Sequence, residues 1–400
     1  MSGHDSRLLI AHVVYRFDVG GLENGVVNLL NGLSVDRFRH AVVAMTEVTD
    51  FRQRVSRNDV QFISLRKGPG HGVRLWPALY RVFRELRPDI VHTRNLAPLE
   101  ACVPAWAAGV PARVHGEHGW DVGDLDGANR AHRVTRRVYR PFVSHYIALS
   151  RHIEEYLRDA VGVGPTAISQ IYNGVDVQRF AAPAGERQAI DDSPFNAPKL
   201  WVFGSVGRLA AVKDQASLIR ALARLHRSSS LARERTRLAI VGDGPLRQEL
   251  RRLAVAEEVG EAVWMAGARS DVAQVMAGLD VFVLPSLAEG ISNTLLEAMS
   301  CSRAVVASAV GGNVELVDDG VNGTLTPPSD PRSLDAALLR YFMDPVRAKQ
   351  HGLAARAAVE ARFSLDRMVA DYAAVYERLT SRRISTSSLK SSSLQTRGHH

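Results

Sequence analysis

The sequence predicts an α/β protein made of two Rossmann-like domains facing each other across a cleft. Three observations carry this. The chain has 400 residues, 46% of them apolar, which is more than one hydrophobic core usually holds. Short β-type runs alternate with amphipathic stretches, the rhythm of a parallel sheet covered on both faces. That rhythm stops near the middle of the chain and then restarts.

In the first half the β-type runs are LLIAHVV (8–14), AVVAM (41–45), QFISL (61–65), DIVH (89–92), ARVHG (112–116) and HYIAL (145–149). Helical patterns lie between them at 22–33, in a stretch ending at Arg87, at 96–108 and at 129–142. Residues 181–199, AAPAGERQAIDDSPFNAPK, carry three prolines and no periodicity, which predicts a linker. The alternation resumes with WVFGSVG (201–207), LAIVG (238–242), VWMAG (263–267), VFVLP (281–285) and AVVAS (304–308). The predicted domains are therefore 1–180 and 200–363, joined by the linker 181–199. The fold ends in helix from Pro331 to about Arg378, broken near Phe363, with residues 364–380 expected to cross back onto the first domain. The last twenty residues, 381–400, are Ser-rich, basic and without pattern, which predicts a disordered tail.

Composition narrows the function classes. The two cysteines, Cys102 and Cys301, sit in apolar helical stretches, so they read as core residues of a protein from a reducing compartment rather than a disulfide framework. The amino-terminal apolar run is too short and too soon interrupted for a secretion signal. No run reaches the roughly 18 apolar residues that a membrane span needs. The expected location is cytoplasmic. The formal net charge is +8; residues 1–180 hold 23 Lys and Arg against 18 Asp and Glu, or +5 of it. Nucleic acid, a membrane surface and phosphorylated ligands all suit such a balance.

The most informative string is LPSLAEGISNTLLEAMSCSRAVVAS, 284–308. A strand ends at Pro285, a loop carries Glu289 and Gly290, and a helix begins near Ser292 to Thr294 with Glu297 in its first turns. Gly290 lets a ligand approach the backbone, and the N–H groups of Ser292, Asn293, Thr294 and Leu295 form an anion site. Glu289 suits sugar hydroxyls and Glu297 a ribose. The bland alternative for Glu297 is a capping box with Thr294. In GSVGRLAAVKDQASLIRAL, 204–222, Arg208 follows a strand and Lys213 precedes a helix whose N-cap is Asp214. A cation there opposes the helix dipole unless an anion compensates it, and a diphosphate would do so, with Arg208 offering a planar fork and Lys213 a point charge. The alternative is a pair of solvated loop charges.

Three further segments bear on the site. Gly20 and Gly21 stand between the first strand and first helix, with Glu23 at the helix start, where they admit a phosphate or an acceptor close to the backbone. In RVHGEHGWD, 113–121, His115 and His118 have a spacing that invites metal, but alternate strand side chains diverge and no third ligand is near. His118 is either a cleft histidine for a sugar hydroxyl or a satisfied core residue. Asp124 and Asp126 read as turn residues rather than metal ligands. Arg130, Arg133, Arg137 and Arg140 share one helical face, which is either solvated or suited to anionic lipid. Nucleic acid is disfavoured because no stacking aromatics are interleaved.

Together these strings resemble the retaining glycosyltransferases of family 4, which have the two-Rossmann GT-B fold. The likeness covers about residues 8–380. It rests on EGISNTLLE, similar to the family's Glu-x7-Glu signature, on GRLAAVKD, similar to its phosphate clamp, and on IYNGVD (171–176) and GDGPLRQEL (242–250). The resemblance implies a nucleotide diphosphate sugar, UDP-sugar foremost, as co-substrate with no metal or other cofactor. It implies His118, Arg208, Lys213 and Glu289 as catalytic residues. On the donor it places Gly21, Arg208, Lys213 and residues 289–294 (Glu289, Gly290, Ile291, Ser292, Asn293, Thr294), Glu297 on the ribose, and Ala268 and Arg269 near the base. The opening GGLENGVVNLLNGL and the string HTRN (92–95) are similar to sugar transferases of bacterial exopolysaccharide loci. That implies Gly20, His92, Asn95 and His118 on a glycan or lipid-linked acceptor, with peripheral association at an anionic membrane on its inner face. Many relatives carry Phe or Pro where this chain has Ile291 and Ser292. An epimerase on the same fold, or a non-catalytic adaptor for membrane or nucleic acid, are the rival readings.

Overall fold

A computed structural model of the chain describes residues 5–68, 72–119, 124, 127–182 and 186–395, with side chains as far as 381. The chain divides into two compact units. The first comprises the residues up to Gly119, Gly127–Tyr172 and the chain from Asp366 onward; the second comprises Asn173–Leu365.

The first unit is a seven-stranded sheet of β1 (Leu8–Val14), β2 (Phe38–Ala44), β3 (Val60–Ser64), β4 (Ile90–Arg94), β5 (Ala112–Glu117), β6 (His145–Ala148) and β7 (Ile168–Gln170). Their order is β3-β2-β1-β4-β5-β6-β7, and every pairing is parallel. Both faces are covered. Ala11, Val13 and Val43 pack with Leu79 and Phe83 of one helix layer, while Val14, Val42 and Ala44 pack with Val26, Val27 and Leu30 of the other. That alternation along β1 and β2 is why these strands read as continuous apolar runs.

The second unit repeats the plan with β8 (Trp201–Val206), β9 (Thr236–Val241), β10 (Val263–Gly267), β11 (Val281–Leu284), β12 (Ala304–Ser308) and β13 (Thr324–Thr326), in the order β10-β9-β8-β11-β12-β13. In each sheet the winding reverses beside the first strand, between β1 and β4 and between β8 and β11. The crevice outside the carboxyl ends of those strands is where doubly wound sheets bind ligands. The opposite ends are closed alike. Leu9 N–H donates to Asp89 Oδ2 at 2.8 Å, and Val202 N–H donates to Asp280 Oδ2 at 2.6 Å. Burial pushes the Asp280 carboxyl up to about 6, against the pull of the Val202 N–H, Arg187 and Arg303.

The structure differs from the sequence-based expectation in several places. The three-residue edge strands β7 and β13 have too little apolar pattern to be read. The stretch 96–108 is two short helices, Leu96–Leu99 and Cys102–Ala107, because Pro98 and Pro104 interrupt its hydrogen bonding. The terminal helical region breaks at Asp344 as well as at Phe363, giving Pro345–Arg362 its own N-cap in Asp344. The chain passes from first unit to second after Tyr172, not near 180, and 181–199 is no free linker. Arg303 donates to the Glu186 and Leu279 carbonyls at 3.1 and 3.0 Å, Gln188 N–H donates to Ala277 O, and Ile190 and Phe195 are buried. The last helix, Leu365–Gln395, buries Met368, Tyr372, Val375 and Tyr376 and belongs to the first unit from Asp366. It continues through the Ser-rich stretch expected to be disordered, since extending a formed helix needs far less than nucleating one.

Val175 N–H donates to Phe363 O and Leu365 N–H donates to Val175 O, each at 2.9 Å. A Cβ on Gly174 would lie 2.7 Å from both Leu365 Cα and Ser364 O, and backbone cannot yield as a side chain can. Gly174→Ala is expected to cost about 1–3 kcal/mol of stability, read from the midpoint of a urea titration.

Candidate functional site

In the second unit the predicted residues gather at the carboxyl ends of β8 and β11. Gly207 leaves β8 with φ +155°, Arg208 is exposed, and its carbonyl accepts from Gln215 Nε2 at 3.1 Å. Asp214, at φ +44°, is the N-cap of Gln215–Ser228 and accepts from Ser217 N and Oγ. Lys213 just before it donates from Nζ to Glu289 Oε1 at 2.5 Å, and Ser286 Oγ donates to the same oxygen at 2.6 Å. The anion that offsets this cation at a helix start is therefore Glu289 of the chain itself. Their side chains are 25% and 9% exposed, so the pair is far less screened than a surface bridge. The loops are pinned to one another as well, since Leu287 N–H donates to Val212 O at 2.8 Å.

Glycine makes the Glu289 loop possible. A Cβ on Gly311, which has φ +48°, would overlap the Glu289 carbonyl, and one on Gly312 would overlap the Gly290 carbonyl. Helix Asn293–Ser300 follows, capped by Ser292, whose Oγ accepts from Leu295 N at 3.3 Å. One of the four N–H groups expected to face an anion, that of Leu295, is thus already bonded. With Ser292 as N-cap the third helical position is Leu295, so the capping-box reading of Glu297 does not hold; Glu297 is half-buried on the second turn. Asn293 Oδ1 accepts from Asn173 Nδ2 at 2.7 Å, which ties the IYNGVD string to the signature helix. Ile291 is buried, its side chain against Gly312, so it fills space rather than facing a ligand. Ala268 is exposed. Arg269 is held by Asp271 at 2.6 Å and lies over the Trp264 ring, 5.7 Å from its centroid.

In the first unit Gly20 caps helix Gly21–Gly32 without a side-chain bond. A Cβ there would overlap the Glu23 carboxylate, whose pKa burial raises. Asn95, at φ +59°, uses its carboxamide oxygen to accept from His118 N at 2.9 Å, so it positions His118 through the backbone. His115 and His118 part company, as the strand geometry predicts. His115 bonds Thr93 Oγ1 at 2.8 Å and Glu117 Oε1 at 3.1 Å. His118 Nε2 and His92 Nε2 instead approach Gly116, where a Cβ would lie 2.7 and 3.2 Å from them, and neither nitrogen has a hydrogen-bond partner among the described residues. Asp124 is buried; Asp126 lies outside the described residues.

Two buried groups were missed. Arg94 is 2% exposed and has no salt-bridge carboxylate among the described residues. It donates to His12 Nδ1 at 3.1 Å and to His92 Nδ1 at 3.3 Å. A guanidinium only donates, so both Nδ1 atoms are acceptors and both rings carry hydrogen on Nε2. His12 Nε2–H then donates to His40 Nδ1 at 3.1 Å, which fixes the third ring the same way. Burial, then Arg94, holds His12 and His92 well below the usual imidazole range. Tyr376 OH completes the cluster at 2.7 Å from His92 Nδ1. The other missed group is Arg136, whose Nε lies 2.6 Å from Glu117 Oε1. The signal for Arg94 was a cation at the carboxyl end of the strand begun by DIVH; nothing local marked Arg136 among its neighbouring arginines.

Long-range proton–nitrogen spectra of histidine-labelled protein at pH 7 are expected to show the Nε2–H tautomer for His12, His40 and His92; an Nδ1–H signature for His92 would break the scheme. Burial alone would raise the Glu117 carboxyl, but the bonds and charges of His115 and Arg136 outweigh it and bring it down to about 2 from 4.5. Its folded value is depressed, so the contribution is complete above about 4.5 and is lost as pH falls toward 2. Glu117→Gln should cost about 3 kcal/mol at pH 7 and flatten that part of the stability profile in urea titrations.

Residues 19–179 match the family model described as Glycosyltransferase Family 4, and residues 201–344 the one described as Glycosyl transferases group 1. The chain is similar to the UDP-Gal:alpha-D-GlcNAc-diphosphoundecaprenol alpha-1,3-galactosyltransferase of Escherichia coli, at 30% identity over 279 residues, 67% of this chain and 70% of that protein. It is also similar to the GDP-mannose-dependent monoacylated alpha-(1-6)-phosphatidylinositol monomannoside mannosyltransferase of Corynebacterium glutamicum, at 30% over 306 residues, 73% and 77% of the two chains. Among solved structures, Anabaena Alr3699/HepE in complex with UDP and glucose shares the fold, with a TM-score of 0.77 at 22% identity over 93% of this chain and 100% of that one. The two sheets are thus the two Rossmann-like domains of the GT-B fold.

Proposed function

The chain belongs to glycosyltransferase family 4, and we propose that it is a retaining, metal-independent enzyme that takes a sugar from a UDP-sugar to a lipid-linked glycan in cell-surface polysaccharide synthesis. The observation that carries the donor site is the Lys213–Glu289 pair at the carboxyl ends of β8 and β11, beside exposed Arg208. The named activity of the E. coli relative, on a UDP-sugar and a diphosphoundecaprenol-linked acceptor, supports the choice of substrate class. The first unit takes the acceptor side, with His92 within β4 and Asn95 and His118 just past the ends of β4 and β5.

In this reading the diphosphate replaces Glu289 as the partner of Lys213. Glu289 is then released to accept hydrogen bonds from the donor sugar, while Glu297 holds the ribose. Arg208 and Lys213 stabilise the charge that builds on the leaving β-phosphate oxygen as its bond to the anomeric carbon breaks, a preorganised effect that is usually the largest in catalysis. The acceptor oxygen bonds to that carbon on the face the diphosphate leaves, and its proton passes to the departing phosphate. Configuration is retained, and no side chain is required as a nucleophile.

Arg208→Ala and Lys213→Ala are each expected to lower kcat by about a hundredfold or more with an unchanged circular dichroism spectrum; near-normal turnover in both would refute the clamp. Binding of UDP-, GDP- and ADP-sugars, measured by calorimetry in EDTA, should select one base, and Glu297→Ala should abolish it. Turnover of donor to an isomer without acceptor would identify an epimerase instead.

A further inference from the structure

In the first unit a buried cation stands among neutral rings. Arg94 donates to His12 Nδ1 and to His92 Nδ1, and Tyr376 OH lies against the same nitrogen of His92. A carboxylate is the usual companion of a buried cation, because desolvation costs on the order of several kcal/mol that neutral partners do not fully offset. Lysine or histidine in this place would shed its proton; arginine keeps it. The sheet therefore holds a permanent positive charge at the carboxyl end of β4, one residue before Asn95, which accepts from His118 N.

That charge reaches beyond the rings it touches. Burial first, and Arg94 second, brings the half-buried His118 down from 6.5 to about 3, and the same two causes, in the same order, hold His92 down. His12 and His40 are lowered chiefly by burial as well. The other titratable groups packed around them do not undo this. Glu117 of β5 is committed to Arg136 and His115. Tyr372 and Tyr376 of the last helix are pushed up by burial and stay protonated. Glu23 of the first helix is itself raised by burial, with Arg94 the smallest of the pulls on it. His92 and His118, whose Nε2 atoms flank Gly116, are thus imidazoles that resist taking up a proton.

We propose that Arg94 is a positioning residue of the transfer reaction, whose fixed charge keeps the imidazoles of His92 and His118 neutral, so that the acceptor hydroxyl meets no side-chain base in the first unit. The inference rests on the proposed function, in which the acceptor oxygen gives its proton to the departing phosphate. Imidazole is ordinarily the base best matched to neutral pH, and it would compete for that proton. A ring that took it would become a second cation beside Arg94, which a buried site strongly disfavours. The proton is left for the phosphate oxygen, which gains basicity as its bond to the anomeric carbon breaks.

The test follows the histidine rings and the turnover of the full chain across about pH 5 to 8, the range in which a free imidazole titrates. In proton–nitrogen spectra of the histidine-labelled wild type, His92 and His118 are expected to stay neutral throughout; protonation of either in that range overturns the proposal. Arg94→Met removes the charge and keeps an apolar chain, a replacement that buried charges tolerate well. Its His118 ring is expected to titrate, and its release of UDP from UDP-galactose to fall about tenfold below the wild type toward about pH 5 while approaching it near about pH 8. Arg94→Gln, which keeps a donor for His92 without the charge, is expected to behave the same way and replaces Arg94→Met if that variant fails to fold. Tyr376→Phe withdraws a donor from His92 but leaves the charge, so its acid limb should coincide with that of the wild type. Charge-free variants whose rings and pH profile match the wild type, or whose activity is lost equally at every pH, would show that Arg94 serves structure alone and overturn the proposal. Absence of UDP release from the wild type counts instead against the donor reading, and the ring titrations then judge Arg94 by themselves.

Discussion

A parallel sheet wound outward from one central strand in both directions leaves the carboxyl ends of two neighbouring strands with loops that run apart. In both units this constraint fixes where chemistry is possible. The loops after β1 and β4 carry Gly20, Gly21 and Asn95, and those after β8 and β11 carry Arg208, Lys213 and Glu289. The opposite ends of the same strand pairs are stitched by Asp89 and Asp280, so each sheet is held shut on one side and open on the other. The glycines follow from this. Gly311 and Gly312 bring one loop backbone against another where any side chain would overlap a carbonyl, and the position of Glu289 depends on that approach.

The two units handle charge at these openings by different means. In the second, a cation and a carboxylate neutralise each other, Lys213 against Glu289, with Ser286 saturating the shared oxygen. In the first, Arg94 is buried among neutral imidazoles and a tyrosine. A cation there cannot be cancelled by proton transfer, because guanidinium does not deprotonate and the rings that surround it are held neutral by burial. It acts as a fixed source of potential, and it dictates which ring nitrogens carry hydrogen. His92 is thereby left with a donor, not an acceptor, on its buried Nε2 beside Gly116.

Much of the fold was legible because β1, β8, β10 and β12 are apolar runs of ordinary length, and because Asp214 is followed by a periodic helix. What escaped was set by tertiary context. Strands β7 and β13 are three residues long and borrow their order from β6 and β12. The segment 181–199 looks like a linker by its prolines, yet Ile190 and Phe195 are buried and Arg303 reaches its backbone from more than a hundred residues away. The same limit applies to the site. Residue types at 208, 213, 289 and 297 point to an anion and a sugar, but the bond between Lys213 and Glu289 spans 76 residues and the chain His40, His12, Arg94, His92, Tyr376 joins four separate stretches. No local pattern encodes such partners.

The loop after β11 shows how two side chains set the balance of charge at a helix start. Ile291 turns inward against Gly312 and Ser292 becomes the helix cap. Proline has no hydroxyl to accept the Leu295 N–H, so a helix begun that way keeps one more donor for an anion at its end. Ser292 satisfies that donor internally and stabilises the helix start, at the expense of the positive potential the end presents. For an anion bound at this edge, as in the proposed donor site, more of the stabilisation would then come from the side chains of Arg208 and Lys213. Lys213, already compensated by Glu289, can turn to a ligand only if Glu289 gains other hydrogen bonds in return. A ligand carrying phosphate and hydroxyl groups together meets both requirements, whereas an isolated phosphate would leave the carboxylate half-buried and without its cation.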